Sequence, residues 1–128
     1  MTPKDALTKK VWAVLGATSR KEKFGYKIYA CLRDHGYTVY PVNPNVTEID
    51  GAICYPSLSD LPEVPEVVDF VVPEKVGLAA LEECKSLQIP TVWLQPGADK
   101  PAVVAKAKEL GLAVIEDCVL VQIRPDNH

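Results

Sequence analysis

The stretch from Lys10 to Gly25 constrains the fold more than any other part of the chain. Five apolar residues, Val11 to Leu15, stop at Gly16; small polar residues follow, then Arg20, Lys21 and Lys23, and after Phe24 the apolar spacing turns helical. So short and continuous an apolar run is a strand buried on both faces, the condition of a parallel sheet. A strand, a glycine turn and a helix start, in that order, gather unpaired helix amides, the positive end of a helix dipole and several cations at one corner. Glycine also lets the backbone approach a ligand closely. The chemistry suited to that corner is an anion of phosphate type.

The rest of the chain repeats the alternation. Met1 to Lys9 reads as a lead-in with a helical turn that packs Leu7 down. Between Gly25 and His35, apolar Ile28, Cys31 and Leu32 recur at helical spacing, and Gly36 stops the helix. Thr38 to Val42 is a second strand, closed by Asn43-Pro44, because proline has no amide for a ladder and holds the preceding residue extended. Val46 to Asp60 reads as loop, with a brief strand at Ala52 to Tyr55 and a helical turn through Leu58 and Leu61 capped by Ser57. The strongest strand, Val67 to Val72, ends at Pro73. A helix from Glu74 to Leu87 and a strand from Thr91 to Leu94 follow, broken by Gln95-Pro-Gly. The last helix is capped by Asp99, with Pro101 just inside and Gly111 beyond its end. A strand at Ala113 to Ile115 and a tail from Val119 to Ile123 finish the pattern. Strands separated by helices of this length need right-handed crossovers. The predicted architecture is therefore α/β: a Rossmann-like doubly wound parallel sheet of about five strands, helices on both faces, in one domain over residues 1–128.

Composition narrows the partner. A chain of 128 residues buries about two-thirds of its unfolded surface without disulfides or metals. The net charge of −3 argues against a nucleic-acid face, since cations concentrate only between Arg20 and Lys27. The four cysteines, Cys31, Cys54, Cys84 and Cys118, are widely spaced, with no Cys-x-x-Cys pair and no nearby histidine to complete a zinc site, so no metal site is expected. Each falls in a stretch that reads as core-facing, and reduced buried thiols are the expectation. The polar amino terminus lacks the apolar centre of a signal peptide, and no run approaches the roughly 18 apolar residues of a membrane span. A cytoplasmic location follows, with no membrane partner.

In an open α/β sheet, ligands bind beyond the carboxyl ends of the strands, where the strand order reverses. The loops Gly16 to Lys23, Asn43 to Val46, Pro73 to Lys75 and Gln95 to Asp99 should converge there. The first supplies amides, the Thr18 and Ser19 hydroxyls and Arg20, Lys21 and Lys23; the others supply prolines and amides, suited to lining an adenine or an extended chain. The spacing is not the Gly-x-Gly-x-x-Gly of dinucleotide enzymes, and the second strand ends in Pro41-Val-Asn-Pro without the acid that holds an NAD ribose. These loops hold no nucleophile with its base and no paired carboxylates, so no catalytic residue is assigned. His35 sits in a last helical turn, where a cation complements the dipole, and His128 is the terminal residue. Cys118, a buried thiol beside Asp117, reads as a poor nucleophile. Trp12 and Trp93 read as packing.

Five segments together, Val-Leu-Gly-Ala-Thr-Ser, Lys23-Phe-Gly-Tyr, Val39-Tyr-Pro-Val-Asn-Pro, Val71-Val-Pro and Trp93-Leu-Gln-Pro-Gly, resemble the stand-alone CoA-binding domain proteins. These are similar to the amino-terminal CoA-binding domain of the succinyl-CoA synthetase α subunit, and the likeness covers about Thr8 to Arg124. The resemblance implies a ligand, coenzyme A or an acyl-CoA. It implies that Gly16, Ala17, Thr18, Ser19 and Arg20 grip its phosphates, with Lys23 beside them, and that Asn43 and Pro44 lie by the nucleotide. Val72 and Pro73 would flank the ligand, and Leu94, Gln95 and Pro96 would lie along the pantetheine. The ligases carry a lysine near the position of Val46, so contact with the 3′-phosphate falls here to Arg20, Lys21 or Lys23. Their phosphohistidine domain has no counterpart in these residues. Non-catalytic CoA binding is the leading expectation. A CoA-site subunit working with a ligase partner chain and an NAD-responsive regulator are its rivals, and a homodimer is compatible with each.

Overall fold

The computed structural model describes residues 1–123, and in it the opening apolar run is strand β1 (Val11–Leu15), all buried but its first residue. Before it, α1 (Pro3–Leu7) starts with a reciprocal capping box between Thr2 and Asp5, which satisfies two otherwise unpaired amides. After it come α2 (Phe24–Asp34), β2 (Thr38–Val42), and a hairpin of β3 (Glu48–Ile49) and β4 (Ala52–Ile53). A 3₁₀ turn (Leu58–Asp60), β5 (Val67–Phe70), α3 (Glu74–Ser86), β6 (Thr91–Leu94), α4 (Pro101–Glu109), β7 (Ala113–Glu116) and α5 (Val119–Gln122) complete the order.

The five long strands form one parallel sheet in the order β2-β1-β5-β6-β7. The chain begins at β1, winds outward to the edge at β2, then returns past β1 to β5 and continues the other way. Order therefore reverses between β1 and β5, as the doubly wound reading requires. Alternate residues face opposite layers. Ala13, Leu15, Val68, Phe70, Val92 and Leu94 pack under α3 and α4 through residues such as Leu81 and Val103. Trp12, Val14, Val67, Trp93 and Ile115 pack under α1, α2 and α5 through Ala6, Ile28, Leu32 and Val119. Trp12 and Trp93 meet across the intervening strand with ring centroids 5.6 Å apart and planes tilted by 53°, and their indole N–H groups donate to the carbonyls of Lys9 and Asp117.

Several boundaries differ from the expectation, each for a local reason. β5 stops at Phe70 and not Val72: the Val71 amide still donates to Leu15, but β1 has by then turned at Gly16 and offers no further partner. Lys100, not Asp99, is the N-cap of α4, because Asp99 Oδ1 accepts from the Gly97 amide at 3.1 Å and closes the preceding turn. Ser57 does stand at the N-cap of the 3₁₀ turn, but its hydroxyl donates to Asp60 and accepts no amide of the turn. The β3 strand and the short α5 were not anticipated, since two to four residues carry no readable period. Of the four cysteines, all free, Cys54 and Cys84 are buried, whereas Cys31 and Cys118 are only half-buried. His128 lies outside the described residues.

Candidate functional site

Three backbone segments meet at the β1 exit. Gly16 has φ +97°, and a Cβ there would overlap the carbonyl oxygen of Val71; a Cβ at Gly25 would overlap the carbonyl oxygen of Gly16. The first turn of α2 is thus pressed onto the β1 corner, and that corner onto the end of β5, at a spacing that only glycine allows. Asn43 locks the arrangement from the far side. Its Nδ2 donates to the Ala17 carbonyl and its Oδ1 accepts from the Asn45 amide, both at 2.9 Å.

The resulting hollow, of about 420 Å³, is lined by Gly16, Thr18, Arg20, Lys23, Phe24, Gly25 and Val71. Lys23 is the N-cap of α2 and its side chain makes no capping bond; the Tyr26 and Lys27 amides donate to its carbonyl, which leaves the amides of Phe24 and Gly25, two residues lining the hollow, as the unpaired first donors of the helix. Thr18 Oγ1 accepts from the Arg20 amide, and the Arg20 guanidinium lies 3.3 Å from Glu22. Both members of that pair are exposed, where ion pairs contribute little. A phosphate can compete for the arginine.

Two smaller hollows adjoin the first. One of about 230 Å³ lies among Val71, Val72, Pro73, Pro96 and Gly97. The other, about 60 Å³, is lined by Phe24, Val71, Gln95, Pro96 and Cys118. Val71 borders all three, making one crevice across the ends of β1, β5, β6 and β7. Gln95, 3% exposed, accepts from the Val119 amide through Oε1 at 3.0 Å, tying the β6 exit to α5.

The structure brings together Gly16, Thr18, Arg20, Lys23, Val72, Pro73, Gln95 and Pro96 from three chain-distant loops. It leaves others aside. Ser19 stands exposed at the rim and Pro44 is exposed outside these hollows. The Ala17 side chain is fully buried, and Leu94 is fully buried in the layer under α3 and α4, so both can meet a ligand only through the backbone. Asn43 spends its polar atoms inside the protein. Sequence reasoning missed Phe24, Gly25, Val71 and Cys118 as lining residues. Phe24, 62% exposed at the start of an amphipathic helix, was the one with a readable signal, since a large exposed aromatic commonly marks a contact surface.

Asp69 was missed as well. It sits inside β5 as the one acid in a run of apolar residues, is fully buried, and neither carboxylate oxygen has a partner. Burial, and then the nearby Cys118, raise its pKa well above the ordinary carboxylate value. Such unpaired groups are uncommon in folded proteins.

Among the described residues there is no cluster of three or more His, Cys, Asp or Glu positioned to hold a metal ion, and no helix long and apolar enough to cross a membrane. A doubly wound parallel sheet with a glycine-built, cation-lined corner at its switch point defines a domain of the Rossmann-like α/β class. Within that class, the chain belongs to the CoA-binding domain family, whose model matches residues 10–124. It is 45% identical over 75 residues to an ADP-forming acetate–CoA ligase I of Archaeoglobus fulgidus, a match covering 59% of this chain and 11% of the ligase. It is 36% identical over 73 residues to the α subunit of an ADP-forming acetate–CoA ligase II of Pyrococcus furiosus, covering 56% of this chain and 16% of that subunit. The chain thus spans less than a fifth of the length of these ligases. Among solved structures it superposes on a hypothetical protein from Pyrococcus horikoshii OT3 with TM-score 0.86 and 31% identity, covering 96% of this chain and 92% of that one.

Proposed function

We propose that this chain, as one domain over residues 1–128, binds coenzyme A or an acyl-CoA non-covalently in the crevice and does no chemistry of its own. The observation that carries the reading is the β1 corner, where uncapped α2 amides, a glycine-only backbone approach and Arg20 and Lys23 surround one hollow. In this reading the Gly16 amide stays bonded to the Val42 carbonyl and its missing side chain admits the ligand, while the diphosphate sits on the amides of Ala17 to Ser19, with the Thr18 hydroxyl and the cations of Arg20 and Lys23 completing its shell. Asn43 acts as a positioning residue and Pro44 borders the nucleotide. Val72 and Pro73 wall the middle of the ligand, while Gln95, Pro96 and the Leu94 backbone follow the pantetheine. Four free thiols suit a reducing, cytoplasmic setting.

Calorimetric titration with CoA, dephospho-CoA, ADP and NAD tests it. CoA binding is expected, weaker with dephospho-CoA if a cation reads the 3′-phosphate. Arg20→Ala and Lys23→Ala should each weaken CoA by about 1 kcal/mol, roughly fivefold, with the loss shrinking in high salt. Heat with NAD alone, or variants indistinguishable from wild type, would sink the reading. The ligase relatives favour a second reading, in which this domain supplies the CoA site to a partner chain carrying the phosphotransfer machinery. Co-purification with such a chain, and acyl-CoA synthesis only when both are present, would decide for it.

A further inference from the structure

The crevice ends at a thiol. Cys118 follows β7, is half-buried and free, and lines the smallest hollow beside Gln95 and Pro96. Phe24 and Val71 border both that hollow and the one at Arg20 and Lys23, so the two hollows adjoin along one wall between the cations and the sulfur. The sheet order sets its length. β1, β5, β6 and β7 are successive neighbours, and three steps of about 4.8 Å put the exits of β1 and β7 on the order of 14 Å apart. An extended pantetheine arm anchored by its diphosphate at the β1 corner spans that interval and brings its own sulfur to β7.

Asp69 marks the same place independently. It precedes Val71 by two residues in β5 and therefore faces the same layer, the one holding α2 and α5. In register it lies between Val14 and Trp93, beneath the floor that Val71 forms. Both its oxygens are fully buried and unpartnered, and Cys118 is near enough to act electrostatically on its carboxyl, so an unfilled hydrogen-bonding capacity lies in the layer beside that sulfur. The adjacent acid does not shield the sulfur. Asp117 Oδ1 accepts from the Cys118 amide at 2.7 Å and Oδ2 accepts from Gln122 Nε2 at 2.9 Å, so this carboxylate serves the backbone and α5.

Resting on the CoA-binding reading above, we propose that Cys118 forms a mixed disulfide with the pantetheine sulfur, so that the domain holds CoA covalently when the CoA pool is oxidised. The step is exchange with CoA disulfide. The Cys118 thiolate attacks one sulfur, a protein–CoA S–S bond forms as the CoA–CoA bond breaks, and the second CoA leaves as a thiolate that takes up the proton Cys118 lost. Excess thiol reverses it.

Calorimetry on the wild-type protein kept reduced measures plain CoA binding and so tests the parent reading alone. The same protein, freed of reductant and incubated with CoA disulfide, is then followed by intact-mass spectrometry and peptide mapping. The expected result is one CoA per chain on Cys118, released by dithiothreitol, retained in Cys31→Ser and absent in Cys118→Ser. CoA disulfide should react at least about tenfold faster than glutathione disulfide, which lacks the diphosphate that would hold it at the β1 corner. Reduced protein that binds CoA while the oxidised reagent gives no adduct, an adduct on another cysteine, or equal rates with both disulfides overturns the proposal and leaves CoA binding standing. Absence of binding to the reduced protein overturns both.

Discussion

At Gly25 a methyl group has nowhere to go: its position is taken by the carbonyl oxygen of Gly16, part of the backbone and unable to swing aside. Gly25→Ala should therefore push α2 off the β1 corner. It is expected to cost about 1–3 kcal/mol in urea unfolding, the usual scale of overpacking, and to weaken CoA in the same titration that reports Arg20 and Lys23. Asp69 behaves in the opposite sense. Because burial raises its pKa in the folded chain, the unfolded chain gives up that proton first as pH rises, so stability falls with pH from the ordinary carboxylate range upward until the folded group also ionises. Asp69→Val removes the unpaired acid and should raise stability at pH 7 by about 1–3 kcal/mol. Denaturation at pH 5 and pH 8 checks it: the gap between variant and wild type should widen at the higher pH. Neither role was legible beforehand. Gly25 is one glycine among seven, and an aspartate in an apolar strand carries no local sign of whether it finds a partner.

At the scale of elements, the small β3–β4 hairpin is held to the sheet by α2. Asp50, with φ +50°, accepts from Arg33 Nη1 at 2.8 Å and from the Tyr26 hydroxyl at 2.7 Å. Arg33 first, then Tyr26, hold its carboxyl below the usual range. The stabilisation is thus fully present above that range and lost as pH falls from it down through the lower pKa of the folded chain. Asp50→Asn keeps a residue that tolerates the left-handed turn and removes the charge. It should lower Tm slightly at pH 7 and by progressively less as pH falls below the ordinary carboxylate range, and it should speed amide exchange at Cys54, whose N–H donates to Thr47 inside the hairpin. The main strands and helices were readable because each repeats its apolar period several times. The hairpin and α5 were not, because two to four residues are shorter than the signal that would announce them.

For the whole molecule, ligand and fold are thermodynamically linked. If the crevice is the CoA site, CoA at a hundredfold excess over its Kd should stabilise the folded chain by about 2.7 kcal/mol, visible in scanning calorimetry as a raised Tm that NAD at equal concentration does not reproduce. The sequence by itself determined the layered α/β architecture, the place of the β1 corner and the absence of an NAD-type acid after β2, because these follow from periods and turn residues read along the chain. Only the tertiary structure decided that Asn43 is spent as a clamp, that Leu94 and Ala17 face inward, that Asp69 lacks a partner and that Cys118 closes the crevice begun at Gly16. The physical reason is that burial and proximity are set by which loops the sheet order brings side by side, and those loops come from opposite ends of the chain.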